Sequence, residues 1–266
     1  MKKSIFRALA IALTAALLCA LLPMLAGAEE PAGELAVDIT QDFTDPKFRA
    51  RVYVLLGRAD TEAIYGSDVA EIEELWVGTR GIESLAGLQH FTGLRILGCY
   101  ANELTALPAL PAGLEELYCA NNRLAALPAL PAGLTHLSVH DNLLTELPAL
   151  PEGLEILWCG GNLLTALPRL PSTLTRLYCE KNQLTGVDIS GLPDLEYIEC
   201  TYNEMVGVTD IGGFLGKLTM LFDNKAFRFY PQSQGFWAPW NEWLLLVLEF
   251  VLFGWAWMRL FRLFWA

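Results

Sequence analysis

The residues best suited to chemistry in this chain are cysteines placed at nearly regular intervals. Five of the six cysteines follow one another through the middle of the sequence, namely Cys99, Cys119, Cys159, Cys179 and Cys200. Thiols can form disulfides, ligate zinc or pack as small apolar groups. Zinc requires ligands that converge tetrahedrally, which an evenly spaced row does not provide. The spacing therefore favours packing thiols, with disulfides between the neighbouring pairs Cys99–Cys119 and Cys159–Cys179 as the alternative.

A second group that could act on a ligand comprises His136, His140 and Asp141. These residues are close enough in sequence to meet at one edge of a strand and hold a metal ion weakly, but solvated side chains are the simpler interpretation. The sequence has no Gly-rich phosphate loop, nucleophile elbow or paired-carboxylate arrangement. We therefore predict a protein that is not an enzyme and that carries no cofactor and no metal.

The cysteines belong to a repeat that occupies residues 72–206. The phrase Leu94-x-x-Leu97-x-Cys99-x-x-Asn102-x-Leu104 returns at steps of 20 residues, with looser copies before and after. The first positions of these copies are Ile72, Leu94, Leu114, Leu134, Leu154, Leu174 and Leu195. A second phrase, Leu-Pro-x-Leu-Pro, first seen at 107–111, recurs between the copies. A fixed period of this size predicts a solenoid.

The pattern L-x-x-L-x-(L/C)-x-x-N-x-L resembles the leucine-rich repeat family. With its Leu-Pro-x-Leu-Pro phrase, the chain resembles the short, 20-residue bacterial subtype of secreted effectors and surface proteins. The resemblance covers roughly half the chain, or about seven repeats. It implies a solenoid with parallel strands on a concave face and extended, polyproline-like return limbs on the convex side.

Each repeat can be interpreted as one short strand and one return. Leu117 and Cys119 are two positions apart, so they point to the same side of a strand and face the core. Pro108 and Pro111 exclude a long helix from the return limb. An asparagine ends each strand, and its buried amide must bind backbone groups of the adjoining coil. Arg80 takes the place of this asparagine in the first copy, which predicts a less regular first coil.

The segments before the repeats have different compositions. Residues 1–28 combine a basic start, an apolar middle and small residues at their end, a pattern typical of a secretory signal; a transmembrane helix is the alternative. Residues 29–71 are expected to form an N-terminal cap that covers the open end of the solenoid. Within it, Asp45-Pro46 predicts the start of a helix whose apolar positions are Phe48, Val52, Val54 and Leu55/Leu56.

The segments after the repeats include a strongly apolar terminus. Residues 207–235 are expected to form a C-terminal cap and linker, and residues 237–266 a hydrophobic helix that anchors the chain in a membrane. Six of the eight tryptophans lie in this last segment. The anchor residues singled out are Trp243, Glu249, Trp257, Arg259 and Arg262. The arginines predict that the repeats lie outside the membrane and the short C-terminus inside, while a helix lying in the interface is the alternative.

The net charge limits the classes of partner. The chain carries 18 basic and 30 acidic residues, for a formal net charge of −12. Such a charge disfavours nucleic acid and anionic lipid as ligands. It is compatible with cationic peptides, with sugars, or simply with solubility.

The outward strand positions carry the side chains most suited to recognition. Exposed aromatics are common in binding surfaces, although packing among the aromatics themselves is the alternative. A gap expected at Ser138 would take a ligand side chain or sugar ring. The predicted ligand-binding residues are Trp76, Tyr100, Glu115, Glu116, Tyr118, Ser138, Glu155, Trp158, Arg176 and Tyr178.

These features together predict an exported, membrane-anchored binding module on the cell surface. Its concave face would recognise an extracellular protein, peptide or glycan. The alternative is a structural or assembly protein that acts through its C-terminal membrane segment, with the repeats as a spacer.

Overall fold

A computed structural model describes residues 37–205 and two short strands at 211–212 and 227–228. The chain divides into two units, Met1–Val37 and Asp38–Ala266, and the helices and strands described below belong to the second. The expected secretory signal, most of the expected C-terminal cap and the expected membrane segment at 237–266 lie outside the described residues. Within the described residues, no helix combines the length and apolarity needed to cross a bilayer.

The described repeats form a parallel-strand solenoid, as the 20-residue period predicts. One sheet runs in the order β1, β2, β3, β4, β5, β6, β8, β10, and a second pairs β7 with β9. The period sets the register, because equivalent residues of successive coils are direct partners: Leu97 pairs with Leu117, and Leu117 with Leu137. The strands are β1 Glu74–Trp76, β2 Ile96–Gly98, β3 Glu116–Tyr118, β4 His136–Ser138, β5 Ile156–Trp158, β6 Arg176–Tyr178, β7 Val187–Asp188, β8 Tyr197–Glu199, β9 Ile211–Gly212 and β10 Phe227–Arg228.

The inward columns form one continuous apolar core. Leu117 and Cys119 are fully buried, as are their counterparts in the neighbouring coils. The return limbs between β2 and β6 contain no helix, as expected from their prolines, and Leu107 and Leu147 close the core from that side. Stability therefore depends on the contact of each coil with the next.

The asparagine column links the coils through the backbone. Asn122 donates from Nδ2 to the carbonyl of Cys99 in the preceding coil and to that of Cys119 in its own, both at 3.1 Å. Its Oδ1 accepts from the N–H of Leu104 at 3.1 Å. The structural role predicted for these residues is confirmed.

The residue just before each asparagine turns the chain out of the strand. It adopts a positive φ, 52° at Ala101 and 54° at Lys181, in a region that most residues avoid. The equivalent residue of the first coil, Thr79, precedes Arg80 and has the same conformation, and Gly161 is the single glycine among these positions from Thr79 to Tyr202. This turn was not predicted, since the residue type at the position varies from coil to coil.

Two helices precede the first coil. Helix α1 spans Pro46–Leu56, and the short helix α2 spans Gly66–Val69. The Asp45 side chain caps α1 by accepting from the N–H groups of Lys47 and Phe48. Phe48 and Val52 are buried, as predicted. Val54 is 67% exposed, contrary to expectation, because two residues along a helix place it on nearly the opposite side from Val52. Single turns of 3-10 helix lie at Thr40–Asp42 and Leu88–His90.

Helix α1 also contacts the outer edge of β1. Arg51 Nε donates to the carbonyl of Trp76 at 3.3 Å, and Lys47 Nζ to that of Gly81 at 2.6 Å. Tyr118 occupies the position of Trp76 in a later coil. Its carbonyl accepts from the N–H of Cys99, which belongs to the coil before it. The guanidinium of Arg51 thus stands where a preceding coil would donate.

Candidate binding surface on the outward side of the sheet

Three columns of side chains cover the outward side of β1–β6 and β8, which we call the strand face. The first column precedes the inward leucine: Glu74, Ile96, Glu116, His136, Ile156, Arg176 and Tyr197. The second follows that leucine: Trp76, Gly98, Tyr118, Ser138, Trp158, Tyr178 and Glu199. The third lies beyond the cysteine position: Gly78, Tyr100, Ala120, His140, Gly160, Glu180 and Thr201.

Two glycines at the start of the strand face make room for aromatic rings. The indole of Trp76 lies over Gly98 and stacks on Tyr118, with ring centroids 5.7 Å apart and an interplanar angle of 24°. The ring of Tyr100 lies over Gly78 in the same manner. Trp76 and Tyr100 nevertheless remain 43% and 41% exposed, so packing uses one face of each ring and leaves the other for solvent or a partner.

A second aromatic row crosses the later coils. The rings of Trp158 and Tyr178 are 5.7 Å apart and tilted, and those of Tyr178 and Tyr197 are stacked at 4.7 Å. All three side chains are half-buried. The cross-strand packing considered from the sequence is therefore present, and it places the rings in a continuous row.

Carboxylates on the same strands hold the aromatic polar groups. Tyr118 donates to Glu116 at 2.7 Å, Tyr197 to Glu199 at 2.9 Å, and Trp76 Nε1 to Glu74 at 3.1 Å. Burial, together with the hydrogen bond to Glu116, raises the pKa of Tyr118 to about 12. These contacts lie within one strand between residues two apart, so they fix ring orientation locally.

The open gap expected at Ser138 is absent. Ser138 is only 3% exposed, and its Oγ shares a hydrogen bond of 3.1 Å with His140 Nδ1. Its register partners on either side are Tyr118 and Trp158, and a small side chain between two large ones is shielded. Ser138 therefore supports the strand face from beneath.

The carboxylates among the predicted ligand-binding residues are only partly available to a ligand. Glu115 receives two hydrogen bonds of 2.9 Å from Arg95, and this pairing holds the pKa of Glu115 below its usual value. The sequence interpretation overlooked Arg95, whose position one coil earlier in the same column decides the outcome. Glu155 and Arg176 are exposed.

Sequence reasoning also missed Glu180, in the third column of the strand face. Its carboxylate occupies the space above Gly160 that a Cβ would need. One carboxylate oxygen, Oε2, is buried and has no hydrogen-bond partner in the described part of the chain. A glycine one coil before an acidic residue is the sequence signal for this arrangement.

The chemistry suggested by the cysteines and histidines is not supported. Cys99, Cys119, Cys159 and Cys179 are buried free thiols, so the alternative disulfides are not present. A hydrogen bond to Cys99, with burial, raises the pKa of the Cys119 thiol well above its usual range. Among the described residues, no three His, Cys, Asp or Glu side chains are grouped so as to hold a metal ion, so His136, His140 and Asp141 do not form such a group.

A cavity of about 460 Å³ lies on the return side. Its lining includes Leu167, Arg169, Leu170, Val187 and Leu192. It occurs where the repeat spacing changes from 20 to 21 residues between Leu174 and Leu195. The exposed side chain of Arg169 reaches Glu152 at 3.5 Å. This cavity is the alternative binding surface, and experiments on the strand face need a control at the cavity.

The fold is similar to those of solved bacterial leucine-rich repeat proteins. A functional domain of InlJ from Listeria monocytogenes that includes a cysteine ladder matches with a TM-score of 0.58 and 27% identity, over 63% of this chain and 38% of that one. The leucine-rich effector YopM from Yersinia pestis matches at 0.53 and 30%, over 62% and 42%. The leucine-rich repeat domain of a Shigella effector matches at 0.50 and 26%, over 70% and 90%.

These similarities support the leucine-rich repeat character of the chain. The match spans about two-fifths of the length of the InlJ and YopM chains. No protein-family model and no curated protein matches the sequence.

Proposed function

We propose that this chain is an exported, membrane-anchored binding module that takes a protein or peptide partner on its strand face and catalyses no reaction. The observation that carries the proposal is the row Trp158, Tyr178 and Tyr197, which places three aromatic rings side by side on the outward side of the sheet. Aromatic side chains offer large contact area at low cost in conformational entropy. A glycan is the alternative ligand.

The exposure of the earlier aromatics is the second support. Packing alone does not require Trp76 and Tyr100 to keep about two-fifths of their surface in solvent. The residues retained for the surface are Trp76, Tyr100, Glu116, Tyr118, Glu155, Trp158, Arg176 and Tyr178. Ser138 is withdrawn because it is buried, and Glu115 because Arg95 neutralises it.

Export and anchoring are inferred from the two ends of the sequence. Residues 1–28 have the order of charges and apolar residues of a secretory signal. The segment 237–266 has the apolar run, interfacial tryptophans and trailing arginines of a membrane anchor. The repeats would then lie on the cell surface, with the short C-terminus inside.

We assign α1 the role of an N-terminal cap. Arg51 and Lys47 donate to backbone carbonyls at the edge of the solenoid where a preceding coil is lacking in the described sheet. Unpaired strand edges recruit other chains. A helix that satisfies these carbonyls with side chains keeps the edge from pairing.

A photo-reactive residue can test where a partner binds. Tyr100 replaced by p-benzoylphenylalanine keeps a ring over Gly78 and presents a cross-linking group on the strand face. The matched control is the same amino acid at Arg169, on the return side. We expect a discrete cross-linked protein from cells carrying the Tyr100 variant and none from the control. Cross-links only at position 169 would assign binding to the return-side cavity.

A further inference from the structure

The residues at which the chain turns out of each strand form a further column, which we call the turn column. Its members are Thr79, Ala101, Asn121, Asp141, Gly161, Lys181 and Tyr202. Their N–H groups continue the hydrogen-bond ladder of the sheet, since Asp141 donates to the carbonyl of Gly160 and Gly161 to that of Glu180. Successive members of the column therefore keep the strand spacing of about 4.8 Å.

Two opposite charges stand on either side of Gly161 in the turn column. Asp141 lies one coil before Gly161 and Lys181 one coil after it, and both side chains are exposed. Neither forms an ion pair within the described part of the chain. On the same edge of the earlier coils, by contrast, Glu103 and Arg123 pair with each other at 3.3 Å. Asp141 and Lys181 are therefore able to pair with charges on another molecule.

Two exposed leucines lie beside the middle of the turn column. The side chain that follows the buried asparagine is charged or polar in the second, third, sixth and seventh coils, but it is Leu143 in the fourth and Leu163 in the fifth. These leucines are 50% and 42% exposed, and Tyr202 at the end of the column is 49% exposed. Adjacent exposed apolar groups with a polar rim are typical of protein contacts.

The order of charges along the turn column is self-complementary. A two-fold axis beside Gly161 brings each residue of one copy opposite the residue that lies equally far beyond Gly161 in a second copy. Asp141 then faces Lys181 of the second copy, and Asn121 faces Tyr202 of the second copy. Gly161 adds no side chain at the axis, and the Asp141 carboxylate bends over it. Reciprocal pairs of this kind are what a two-fold interface requires.

We propose that two copies of this chain associate through their turn columns about such a two-fold axis. Two contacts between Asp141 and Lys181 set the register, and Leu143 and Leu163 supply apolar area beside them. An exposed ion pair contributes little by itself, and the contact is small compared with that of a permanent dimer, so the dimer is weak and reversible. The paired residues include none of the three columns of the strand face, and the inference therefore goes beyond the proposed function.

Cysteine cross-linking of the full-length chain tests the register. An affinity-tagged Asp141→Cys chain is mixed with an untagged Lys181→Cys chain, and disulfides are formed with copper phenanthroline. A disulfide requires the two Cα atoms to lie within about 7 Å, which the proposed axis permits for the mixed pair. Two copies of one variant place their new cysteines two coils apart, about 10 Å. We expect abundant tagged–untagged dimers in the mixture and few dimers of either variant alone.

Two controls set the background of this experiment. The wild-type chain contributes little, since its described cysteines are buried. Asp60→Cys replaces an exposed carboxylate that precedes the repeats, and it should give no dimer with Lys181→Cys. Thermal midpoints establish that the variants fold. Mixed dimers no more abundant than in the Asp60→Cys control would overturn the inference and leave the exposed leucines to a different protein.

An exchange of charges tests the same contact without a covalent bond. Asp141→Lys places like charges together on both sides of the axis and should raise the dissociation constant of the dimer about tenfold, as measured by sedimentation equilibrium in a mild detergent. Asp141→Lys/Lys181→Asp reverses both charges and should restore the wild-type value. Asp60→Lys changes the net charge as much as Asp141→Lys and should have no effect. A double variant that associates as weakly as Asp141→Lys would contradict the proposed register.

Discussion

The side-chain amide of Asn142 donates to the carbonyl of Cys119, 3.1 Å away in the preceding coil. The same amide donates to Val139 in its own coil at 3.0 Å, and its oxygen accepts from Leu124 at 3.0 Å. One buried side chain therefore joins two coils where each strand ends. The column of such residues couples the coils that carry the strand face.

The first prediction concerns this column. Asn142→Ala should lower the free energy of unfolding by about 3 kcal/mol, because buried backbone groups lose their partners. Urea titration followed by circular dichroism measures the loss. The control is Asn121→Gly, an exposed asparagine with a φ of 56° that glycine adopts readily, and it should change stability by about 0.5 kcal/mol or less. Equal losses in the two variants would argue against the column.

The second prediction concerns the buried thiols. Burial raises the pKa of Cys159 and Cys179 far above the usual thiol value, and the thiolate is the reactive form. Cys99, Cys119, Cys159 and Cys179 should resist iodoacetamide at pH 8 in the native protein and react fully in urea without reductant, as read by peptide mass spectrometry. Modification of the native protein would contradict the packing role.

The third prediction compares the effects of side-chain size and side-chain polarity on stability at Cys119. Cys119→Ser should cost about 1–3 kcal/mol, since it buries a hydroxyl without an evident partner. Cys119→Val should cost about 1.5 kcal/mol or less, because Val139 already fills this column. Thermal unfolding of the two variants compares them. A serine variant as stable as the valine variant would mean that the column is not a dry apolar environment.

The fourth prediction concerns pH and Asp45. Burial raises the pKa of Asp45, but the N–H groups of Phe48, Glu83, Ser84 and Lys47 together hold it below its usual value. The folded pKa is lower than the unfolded one, so this group stabilises the fold above its unfolded pKa, and the contribution is lost as pH falls through the folded pKa. Asp45→Asn, which retains one acceptor oxygen, should therefore cost about 1–2 kcal/mol at pH 7.

The pH dependence provides the check on Asp45. The stability difference between wild type and Asp45→Asn should shrink on acidification toward the folded pKa. The exposed Asp60→Asn serves as the control and should show no such convergence. A difference that is constant with pH would show that the charge of Asp45 does not matter.

The sequence predicts those parts of the fold that repeat. Leu117, Cys119 and Asn122 recur with the period, so their burial and bonding follow from the register. The strand face does not repeat in this way, because its residues differ from coil to coil. The burial of Ser138 depends on two large neighbours that come from other coils.

Two electrostatic features escaped the sequence for related reasons. Arg95 and Glu115 pair because the same column carries opposite charges in adjacent coils. Glu180 bends toward Gly160 because that coil lacks a side chain in the third column. Each of these two contacts joins residues at the same column position in adjacent coils. Such a contact is found by comparing equivalent positions between repeats, and it is missed when each strand is considered only with its neighbours in sequence.

We propose above that the strand face binds the partner through its aromatic row. The most direct test measures, on Trp158→Ala, the affinity for the partner cross-linked at position 100 and the free energy of unfolding. We expect a loss of about thirtyfold in affinity and of about 1 kcal/mol in stability, since the contact with Tyr178 is lost. Arg169→Ala, at the return-side cavity, should change neither. Full affinity with a large loss of stability in Trp158→Ala would contradict the account and make the aromatic row a packing feature.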